Sequence, residues 1–440
     1  MALFGTDGVR GVANRDLTAE LALDLAVAAA HVLAEVGAIS KNRPKAIVGQ
    51  DSRASGEFLE AAIVAGLASA GVDVYKVGIL PTPAIAHLVA SSGADLGVMI
   101  SASHNPMPDN GIKFFAKGGG KLDDSLETAI EARLNEPWDR PVGRDVGRVI
   151  VDESAAERYI YHLLSSLSVN LAGIKVVVDC ANGAASEVAP EVYARAGAEV
   201  IAISNQPNGL NINDKCGSTH LENLIAEVKK HGADLGIAHD GDADRCLAID
   251  ASGNLVDGDY ILAILAKEWK VQTVVGTVMT NLGFIKAMTE NGIAFEKTPV
   301  GDRYVLENML ANGQKLGGEQ SGHIIMRDFA NTGDGLLTAL QLMSVMAKSK
   351  KSLSELTKIM VRFPQVLINV DGVDKANLGT SKVIAAAIGD NESKLGANGR
   401  ILLRASGTEP LVRVMVEAES ADVAEEIASK LAALVRSELS

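Results

Sequence analysis

Short runs of consecutive apolar residues alternate with stretches of helical periodicity along most of the chain. Apolar residues recur at a three-to-four-residue spacing in 56–70, 221–231 and 260–269, which predicts helices. The runs that predict strands are 45–49, 72–77, 96–100, 175–179, 200–203, 235–238, 274–279 and 324–326. Continuous apolar strands separated by helices are typical of parallel sheets covered on both faces. The pattern predicts an α/β fold.

Two of these strands and one further short run lead into polar, glycine-containing loops. Residues 96–100 precede Ser101-Ala102-Ser103-His104-Asn105-Pro106, and 235–238 precede a cluster of aspartates. A third short run, near 315–316, enters Gly317-Gly318-Glu319-Gln320-Ser321-Gly322-His323. Ligands of open α/β sheets bind beyond the carboxyl ends of the strands. We therefore expect three similar α/β domains, with mixed or mostly parallel sheets, around a central cleft.

The end of the chain follows a different pattern. Residues 400–404 and 411–417 predict two neighbouring strands, and Ser420 is the expected N-cap of a closing amphipathic helix. These elements predict a smaller C-terminal α+β domain. Breaks rich in proline, glycine or charge lie at 135–148, 254–258 and 371–379. The predicted domains are therefore 1–148, 149–255, 256–370 and 371–440.

Composition limits the partners of the chain. A formal net charge of −14 argues against a broad nucleic-acid surface. The apolar stretch 21–36 contains Asp24, His31 and Glu35, so we expect no membrane span. Three cysteines without C-x-x-C spacing, and an N-terminus without a signal-peptide pattern, predict a cytoplasmic protein.

The strongest candidate for chemistry is Asp240-Gly241-Asp242-Ala243-Asp244-Arg245. Three carboxylates at alternate positions repel one another unless a cation lies among them. An EF-hand loop would need glycine and glutamate where Arg245 and Ala251 stand. Three carboxylates with an open position for a phosphoryl oxygen suit Mg²⁺. A plain solvated turn is the alternative.

Ser103 and His104 form a candidate nucleophilic turn, and Lys113 could neutralise a phosphate there. The turn by itself could be purely structural, because serine, asparagine and proline are common in turns. Gly118-Gly119-Gly120-Lys121 lacks the first glycine of a phosphate-binding loop, and Leu122 replaces its serine or threonine. Without a nucleotide site, Ser103 is the better candidate for the phosphoryl donor.

Two further segments carry polar groups. The side chains of 318–323 match the donors and acceptors of sugar hydroxyls, although a plain glycine-rich loop is equally compatible with them. Arg404-Ala405-Ser406-Gly407-Thr408-Glu409-Pro410, followed by Arg413, reads as an anion cradle, and it also suits a hairpin turn.

Together with 4–11, these motifs make the chain resemble the α-D-phosphohexomutase family over nearly its whole length. The five segments, in the family's order, are 4–11, 100–106, 240–245, 318–323 and 404–417. The opening Phe-Gly-Thr-Asp-Gly and Gln320 favour the branch that acts on glucosamine phosphates. One departure is Gln50, where relatives often carry arginine.

The resemblance implies roles for individual residues. Ser103 would be the phosphoserine, and one Mg²⁺ per chain would be bound by Ser103, Asp240, Asp242 and Asp244. Glu319 and Ser321 would contact the sugar. The implied phosphate clamp is Arg404, Ser406, Gly407, Thr408 and Arg413. Arg10, His104 and Lys113 would support the phosphoserine, and His323 or Lys113 would be the general base, with His323 preferred for its near-neutral pKa.

The implied reaction interconverts glucosamine 6-phosphate and glucosamine 1-phosphate, feeding UDP-N-acetylglucosamine and cell-wall synthesis. Glucosamine or glucose 1,6-bisphosphate would be the intermediate or activator. We expect a small phosphosugar as the partner, no nucleic acid or membrane, and leave a homodimer open. A phosphomannomutase/phosphoglucomutase with the same mechanism is the alternative, followed by a phosphatase and by a phosphosugar-binding regulator without catalysis.

Overall fold

The computed structural model of the chain describes residues 3–5, 7–40, 43–405 and 411–439. The chain forms two compact units, each made of two chain segments. The first unit consists of Met1–Val278 and Ala294–Thr357, and the second of Met279–Ile293 and Lys358–Ser440. No helix in the described part of the chain is long and apolar enough to cross a bilayer.

The first unit begins with a seven-stranded sheet. Its strands are β1 (Phe4–Gly5), β2 (Gly8–Val12), β3 (Lys45–Gln50), β4 (Asp73–Ile79), β5 (Leu96–Ile100), β6 (Asp109–Ala116) and β7 (Val149–Val151). They lie in the order β1-β2-β6-β5-β3-β4-β7. The four neighbouring strands β5, β3, β4 and β7 are parallel to one another, and the other pairings are antiparallel. The accompanying helices are α1 (Ala19–Glu35), α2 (Ser55–Ser69), α3 (Thr82–Ser92) and α4 (Asp124–Ala132). Thr18 caps α1 by accepting from the backbone N–H of Leu21.

A five-stranded sheet follows in the order β12-β11-β10-β8-β9, with parallel strands at β10, β8 and β9. Its strands are β8 (Lys175–Asp179), β9 (Glu199–Ile203), β10 (Leu235–Ala238), β11 (Leu247–Asp250) and β12 (Leu255–Val256). The helices of this part are α5 (Ala155–Ser165), α6 (Val188–Arg195), α7 (Glu222–His231) and α8 (Gly258–Trp269).

The third sheet has four strands in the order β14-β13-β15-β16. They are β13 (Thr273–Thr277), β14 (Ala294–Thr298), β15 (Leu316–Gly318) and β16 (Ile324–Met326). The helix after β13, α9 (Leu282–Glu290), belongs to the second unit. The later helices of the first unit are α10 (Asp302–Asn312), α11 (Gly335–Ser349) and α12 (Leu353–Leu356).

The three sheets of the first unit share one local arrangement. In each, the last strand of the parallel part is followed by a loop and an antiparallel strand, in the pairs β5/β6, β10/β11 and β15/β16. The loops inside these hairpins carry Ser103, the three aspartates and Glu319, respectively. Short hairpin loops between buried strands have little freedom, so the sheets fix where these side chains lie.

The second unit is a small α+β structure. Its sheet has the order β17-β19-β18, antiparallel throughout, and it packs on α14. The elements are β17 (Gln365–Asp371), α13 (Lys382–Leu395), β18 (Gly399–Ala405), β19 (Leu411–Ala418) and α14 (Ala421–Leu439). Ser420 accepts from the backbone N–H of Val423 at the start of α14. The predicted fold class, three similar α/β domains and a smaller α+β domain, is confirmed.

Candidate active site

The loop that carries Ser103 is held in a strained conformation. Ser103 is buried and has a φ of +53°, which residues other than glycine rarely adopt. Its backbone N–H donates to Ser101 Oγ at 2.9 Å, and Ser101 donates in turn to Asp51 Oδ2 at 2.6 Å. These bonds hold the backbone of the loop at Ser103.

Arg53 holds the other side of this loop. Its side chain is 0% exposed, and Nε donates to Asp51 Oδ2 at 2.9 Å. The terminal nitrogens donate to four backbone carbonyls of the Ser103 loop at 2.6 to 3.0 Å; the acceptors are Ser103, Asn105, Pro106 and Asp109. A guanidinium is the one side chain with enough fixed donors for this arrangement. Sequence analysis assigned Arg53 no role, although its position just after β3 was the available signal.

The aspartate loop lies directly against Ser103. Ser103 Oγ donates to Asp240 Oδ2 at 2.5 Å. Asn213 Nδ2, on the segment between β9 and α7, donates to the carbonyls of Ser103 and Asn105, at 2.9 and 3.0 Å, and so ties the serine loop to the part of the chain that carries the second sheet. Asp240, Asp242 and Asp244 are buried, and ligand oxygens of all three lie within 4.8 Å of one another.

Burial, together with Asp244 and Asp242, raises the pKa of Asp240 to about 8. Asp242 Oδ2 accepts from Thr82 Oγ at 2.6 Å and from Lys113 Nζ at 2.8 Å. The other oxygens, Asp242 Oδ1 and Asp244 Oδ1, are buried and have no hydrogen-bond partner among the described residues. Buried carboxylate oxygens without partners are costly, so these donors fit a divalent metal ion.

His239 supports the aspartate loop from behind. It is fully buried, its Nε2 lies 2.8 Å from the Tyr193 hydroxyl, and its Nδ1 lies 2.9 Å from the carbonyl oxygen of Arg245. The second contact joins His239, which directly precedes the aspartate loop, to Arg245, the last residue of that loop. This contact therefore fixes the two ends of the aspartate loop relative to each other.

A cluster of cations faces the carboxylates. Lys113 Nζ lies between Asp242 Oδ2, at 2.8 Å, and Asp7 Oδ2, at 2.7 Å. Burial lowers the pKa of Lys113, but Asp242 and Asp7 outweigh it and raise that pKa well above its usual range. Asp7 also pairs with Arg10 and, at 2.6 Å, with Lys121. Asp7, Lys121 and Thr82 were not predicted as site residues.

His104 lies beside the nucleophile. Its Nδ1 is 3.4 Å from Ser103 Oγ. Burial, Arg245 and Arg10 lower the pKa of His104 to about 4, so the ring is neutral at physiological pH.

The third hairpin loop brings His323 to the same place. His323 Nδ1 lies 3.5 Å from Asp244 Oδ2, and Nε2 lies 3.4 Å from Asp302 Oδ2. Burial lowers the pKa of His323, but Asp244 and Asp302 raise it overall to about 9. Glu319 Oε1 accepts from the backbone N–H of Gly301 at 3.1 Å, and Ser321 Oγ is buried with no partner in the described chain. Asp302 is a further residue that sequence analysis missed.

The predicted phosphate clamp lies in the second unit. Arg404 and Arg413 are directly opposite each other on β18 and β19. Burial and the neighbouring Arg413 lower the pKa of Arg404, as expected where two guanidinium groups lie side by side. Ser406, Gly407 and Thr408 lie outside the described residues. Within the first unit, the structure brings together Arg10, Ser103, His104, Lys113, the three aspartates and His323, with Glu319 and Ser321 on the loop of His323.

Family comparisons agree with the resemblance noted from the motifs. Four models of the phosphoglucomutase/phosphomannomutase family match in order: alpha/beta/alpha domain I over 1–139, domain II over 157–253, domain III over 257–363 and the C-terminal domain over 367–434.

Curated relatives are similar over nearly their whole length. A phosphoglucosamine mutase of Streptomyces griseus is 62% identical over 99% of both chains. Proteins of the same name from Acidothermus cellulolyticus and Thermobifida fusca are each 61% identical, over 99% and 100% of this chain and 96% and 99% of theirs.

Solved structures share the fold. A phosphoglucomutase/phosphomannomutase family protein from Burkholderia thailandensis superposes with a TM-score of 0.84 at 24% identity, covering 100% of this chain and 98% of its own. An N-acetylphosphoglucosamine mutase of Aspergillus fumigatus, solved with GlcNAc-6P and magnesium, has a TM-score of 0.70 at 18% identity, covering 100% and 96%. With four family models matched in sequence order and relatives at about 60% identity, the chain belongs to the phosphoglucomutase/phosphomannomutase (α-D-phosphohexomutase) family.

Proposed function

We propose that this chain is a mutase that interconverts glucosamine 6-phosphate and glucosamine 1-phosphate through a phosphorylated Ser103. The observation that carries the proposal is the 2.5 Å hydrogen bond from Ser103 Oγ to Asp240, in a buried group of three carboxylates. The names of the relatives at about 60% identity favour glucosamine phosphates over glucose or mannose phosphates.

Phosphorylated Ser103 would donate its phosphoryl group to the free hydroxyl of the bound sugar phosphate, which gives a 1,6-bisphosphate. After this intermediate reorients, Ser103 would take back the other phosphoryl group and release the isomer. Arg53 and Asn213 keep the serine in one position during both transfers, because they fix the carbonyls around it.

Lys113 and Arg10 are proposed to offset the charge of the phosphoserine. Lys113 is held between Asp7 and Asp242, and these carboxylates raise its pKa so far that it keeps its proton. It is therefore a fixed cation. His323 stays the proposed group that moves the proton of the sugar hydroxyl, but its pKa is not near neutral as the sequence suggested: burial lowers it, and Asp244 and Asp302 raise it overall to about 9. Only the minor neutral form of His323 would accept that proton near neutral pH. His104, with its lowered pKa, would contribute a neutral hydrogen bond to the phosphoserine.

Mg²⁺ is the proposed metal, held by Asp240, Asp242, Asp244 and the phosphoserine. When bound, it would offset the negative charge of the transferring phosphoryl group and of the aspartates. The partnerless oxygens of Asp242 and Asp244 are the donors that support this assignment.

The remaining contacts follow from the chemistry of the substrate. Glu319 and the buried hydroxyl of Ser321 are proposed to bind sugar hydroxyls. Arg404 and Arg413, with Ser406, Gly407 and Thr408, are proposed to hold the phosphate that is not transferred, since paired guanidinium groups bind phosphate bidentately. Glucosamine or glucose 1,6-bisphosphate would serve as intermediate and activator.

Two proposals concern the setting of the reaction. Three buried cysteines remain free thiols, which suits a reducing cytoplasm.

A homodimer is proposed through β7, an edge strand whose three apolar residues, Val149, Ile150 and Val151, are 50%, 37% and 69% exposed. Sedimentation measurements test this proposal: the wild type is expected to be a dimer, and Val151→Lys a monomer.

Replacing the nucleophile tests the function. Ser103→Ala should lower turnover of glucosamine 6-phosphate, assayed with added 1,6-bisphosphate, by about 10³-fold or more, because no other group accepts the phosphoryl. Ser168→Ala, at an exposed serine of the same unit, is the control. Intact mass should show about 80 Da added to the wild type and not to Ser103→Ala.

A panel of glucosamine, glucose and mannose phosphates separates the alternatives. The highest kcat/KM is expected for glucosamine 6-phosphate, without release of free phosphate. Normal turnover by Ser103→Ala would contradict the nucleophile, and stoichiometric phosphate release would indicate a phosphatase.

A further inference from the structure

Asp242 and Asp244 are connected to each other through the aspartate loop, and also through a series of neighbouring acidic and basic side chains. Its members, in order, are Asp242, Lys113, Asp7, Lys121, Asp302, His323 and Asp244. The successive N–O distances are 2.8, 2.7, 2.6, 2.7, 3.4 and 3.5 Å. Every side chain in the series is at most 20% exposed.

Lys121 is the central link of this series. Its Nζ lies 2.6 Å from Asp7 Oδ1 and 2.7 Å from Asp302 Oδ2. Asp7 belongs to the turn between β1 and β2 of the first sheet, whereas Asp302 is the first residue of α10, beside the third sheet. Lys121 therefore joins two groups that are far apart in the sequence, one on the first sheet and one at the start of α10.

The glycine-rich turn before Lys121 is built to place it. The N–H of Ala116 donates to the carbonyl of Gly120 at 2.7 Å, and Phe115 and Lys121 form an antiparallel bridge. Gly119 has a φ of +81°, and a Cβ there would collide with the carbonyl of Ala86 in α3. The turn that resembled a phosphate loop in sequence therefore packs tightly on α3 and directs the lysine inward.

We propose that Lys121 and Asp302 are positioning residues of the active site, which hold His323 against Asp244. This inference rests on the proposed function and assigns both residues a part in it. Asp302 Oδ2 lies 2.7 Å from Lys121 Nζ and 3.4 Å from His323 Nε2, and the backbone N–H of Gly333 donates to the same Nε2 at 3.1 Å. Removing the lysine takes the nearer of these two partners from Asp302, so the carboxylate and the imidazole beside it are expected to shift relative to Asp244.

The test is a double-mutant cycle in the full-length protein. Lys121→Met and Asp302→Asn should each lower kcat by 10- to 100-fold and change KM by less than about threefold, since neither is proposed to bind the sugar. The double variant should be no worse than the poorer single variant, because the two residues act as one unit. Lys121→Arg should recover kcat to within a few-fold of the wild type.

The exposed pair Lys315 and Asp328, with Nζ and Oδ2 2.8 Å apart and side chains 65% and 58% exposed, is the matched control. Lys315→Met and Asp328→Asn should leave kcat unchanged and show no coupling, as expected for a solvated ion pair.

A second readout does not depend on activity. In metal-stripped protein with labelled histidines, the His323 ring signal, assigned with His323→Gln, should shift in Lys121→Met and Asp302→Asn, and stay in place in Lys315→Met. If Lys121→Met does not fold, kcat and the His323 ring signal are measured in Asp302→Asn and Lys121→Gln instead.

An unchanged His323 signal with kcat within threefold of the wild type would overturn the proposal. So would additive losses in the double variant, because they would mean that the residues act independently. If the wild type turns over no sugar phosphate, the proposed function fails, and the His323 signal alone still decides whether Lys121 positions the imidazole.

Discussion

At Ser103, a backbone conformation that non-glycine residues avoid coincides with the proposed nucleophile. Such a conformation costs on the order of 1–3 kcal/mol and persists only where the surroundings determine it. Here the determinants are the Ser101 hydroxyl on one side and the five hydrogen bonds of Arg53 on the other. Replacing the arginine should therefore affect the serine directly.

Arg53→Lys should destabilise the fold by about 3 kcal/mol and lower kcat by about 100-fold, because an ammonium has too few donors for the carbonyls it would leave buried. Urea unfolding and initial rates measure the two effects. Arg15→Lys, at a side chain 71% exposed, is the control and should change neither. If kcat of Arg53→Lys stays within twofold of the wild type, the Ser103 loop keeps its conformation without the arginine, and the prediction is wrong.

The role of Arg53 could not be predicted from the sequence. Ser103 and the three aspartates could be singled out as candidates from the sequence, because each lies in one short segment with an unusual pattern, and their chemistry stays a prediction. The contacts of Arg53 are with residues about 50 positions away, and those of Lys121 with Asp302 about 180 positions away. A contact of this kind depends on the packing of whole sheets, so no local pattern could predict it.

Among the elements, the three hairpins β5/β6, β10/β11 and β15/β16 determine how closely the loops approach. A Cβ at Gly241 would lie 2.6 Å from the carbonyl oxygen of Ser103 and 2.9 Å from Asn213 Nδ2. The backbone of the aspartate loop therefore contacts the serine loop at the distance that only glycine allows.

Gly241→Ala should push the two loops apart and lower kcat by at least about 10-fold, since displacements well below 1 Å matter for transfer. The control is Gly389→Ala in α13, where a Cβ would meet nothing within 4 Å. Steady-state rates and the extent of Ser103 phosphorylation by 1,6-bisphosphate measure the effect. Full activity in Gly241→Ala would mean that the loops tolerate separation.

The same elements explain which strands the apolar pattern predicted. The runs 96–100, 175–179, 235–238 and 324–326 match β5, β8, β10 and β16 in both bounds, because the interior of each of these strands is buried and apolar. Sequence analysis assigned no strand to β6, since it starts with Asp-Asn-Gly and carries a buried lysine. Partners in the folded site, rather than local propensity, make that segment a strand.

At the scale of the whole molecule, acid sensitivity follows from the packing of helices in the first unit. His87 of α3 stacks on His162 of α5, with ring centroids 3.9 Å apart. Burial, the neighbouring His162 and Arg158 lower the pKa of His87 to about 4. In the unfolded chain the ring titrates near 6.5, so the unfolded state binds more protons below that pH.

The contribution of His87 to stability should therefore be constant above pH 6.5 and fall as the pH drops from 6.5 toward 4. His87→Gln should remove about 1 kcal/mol of the loss between pH 7 and pH 5, a value reduced for the partial exposure of the ring. Urea unfolding at both pH values measures it, with the exposed His220→Gln as control. An equal loss in the wild type and in His87→Gln would assign the acid sensitivity to other groups.

The overall architecture was accessible from the sequence because alternating strands and helices dominate the pattern. The division at 148, 255 and 370 stays a prediction. What the pattern could not indicate is that α9 belongs to the same compact unit as residues after 357, since its apolar face looks like that of any crossover helix.

The placement of α9 has a consequence for biosynthesis. The buried residues of this helix, Phe284, Ala287 and Met288, leave the ribosome well before the segment Lys358–Ser440 that completes their unit. At about 5–20 residues per second, the helix waits on the order of ten seconds for the segment with which it forms a compact unit. A chain stopped after Thr357 would lack that segment, so nascent and prematurely terminated products are expected to depend on chaperones.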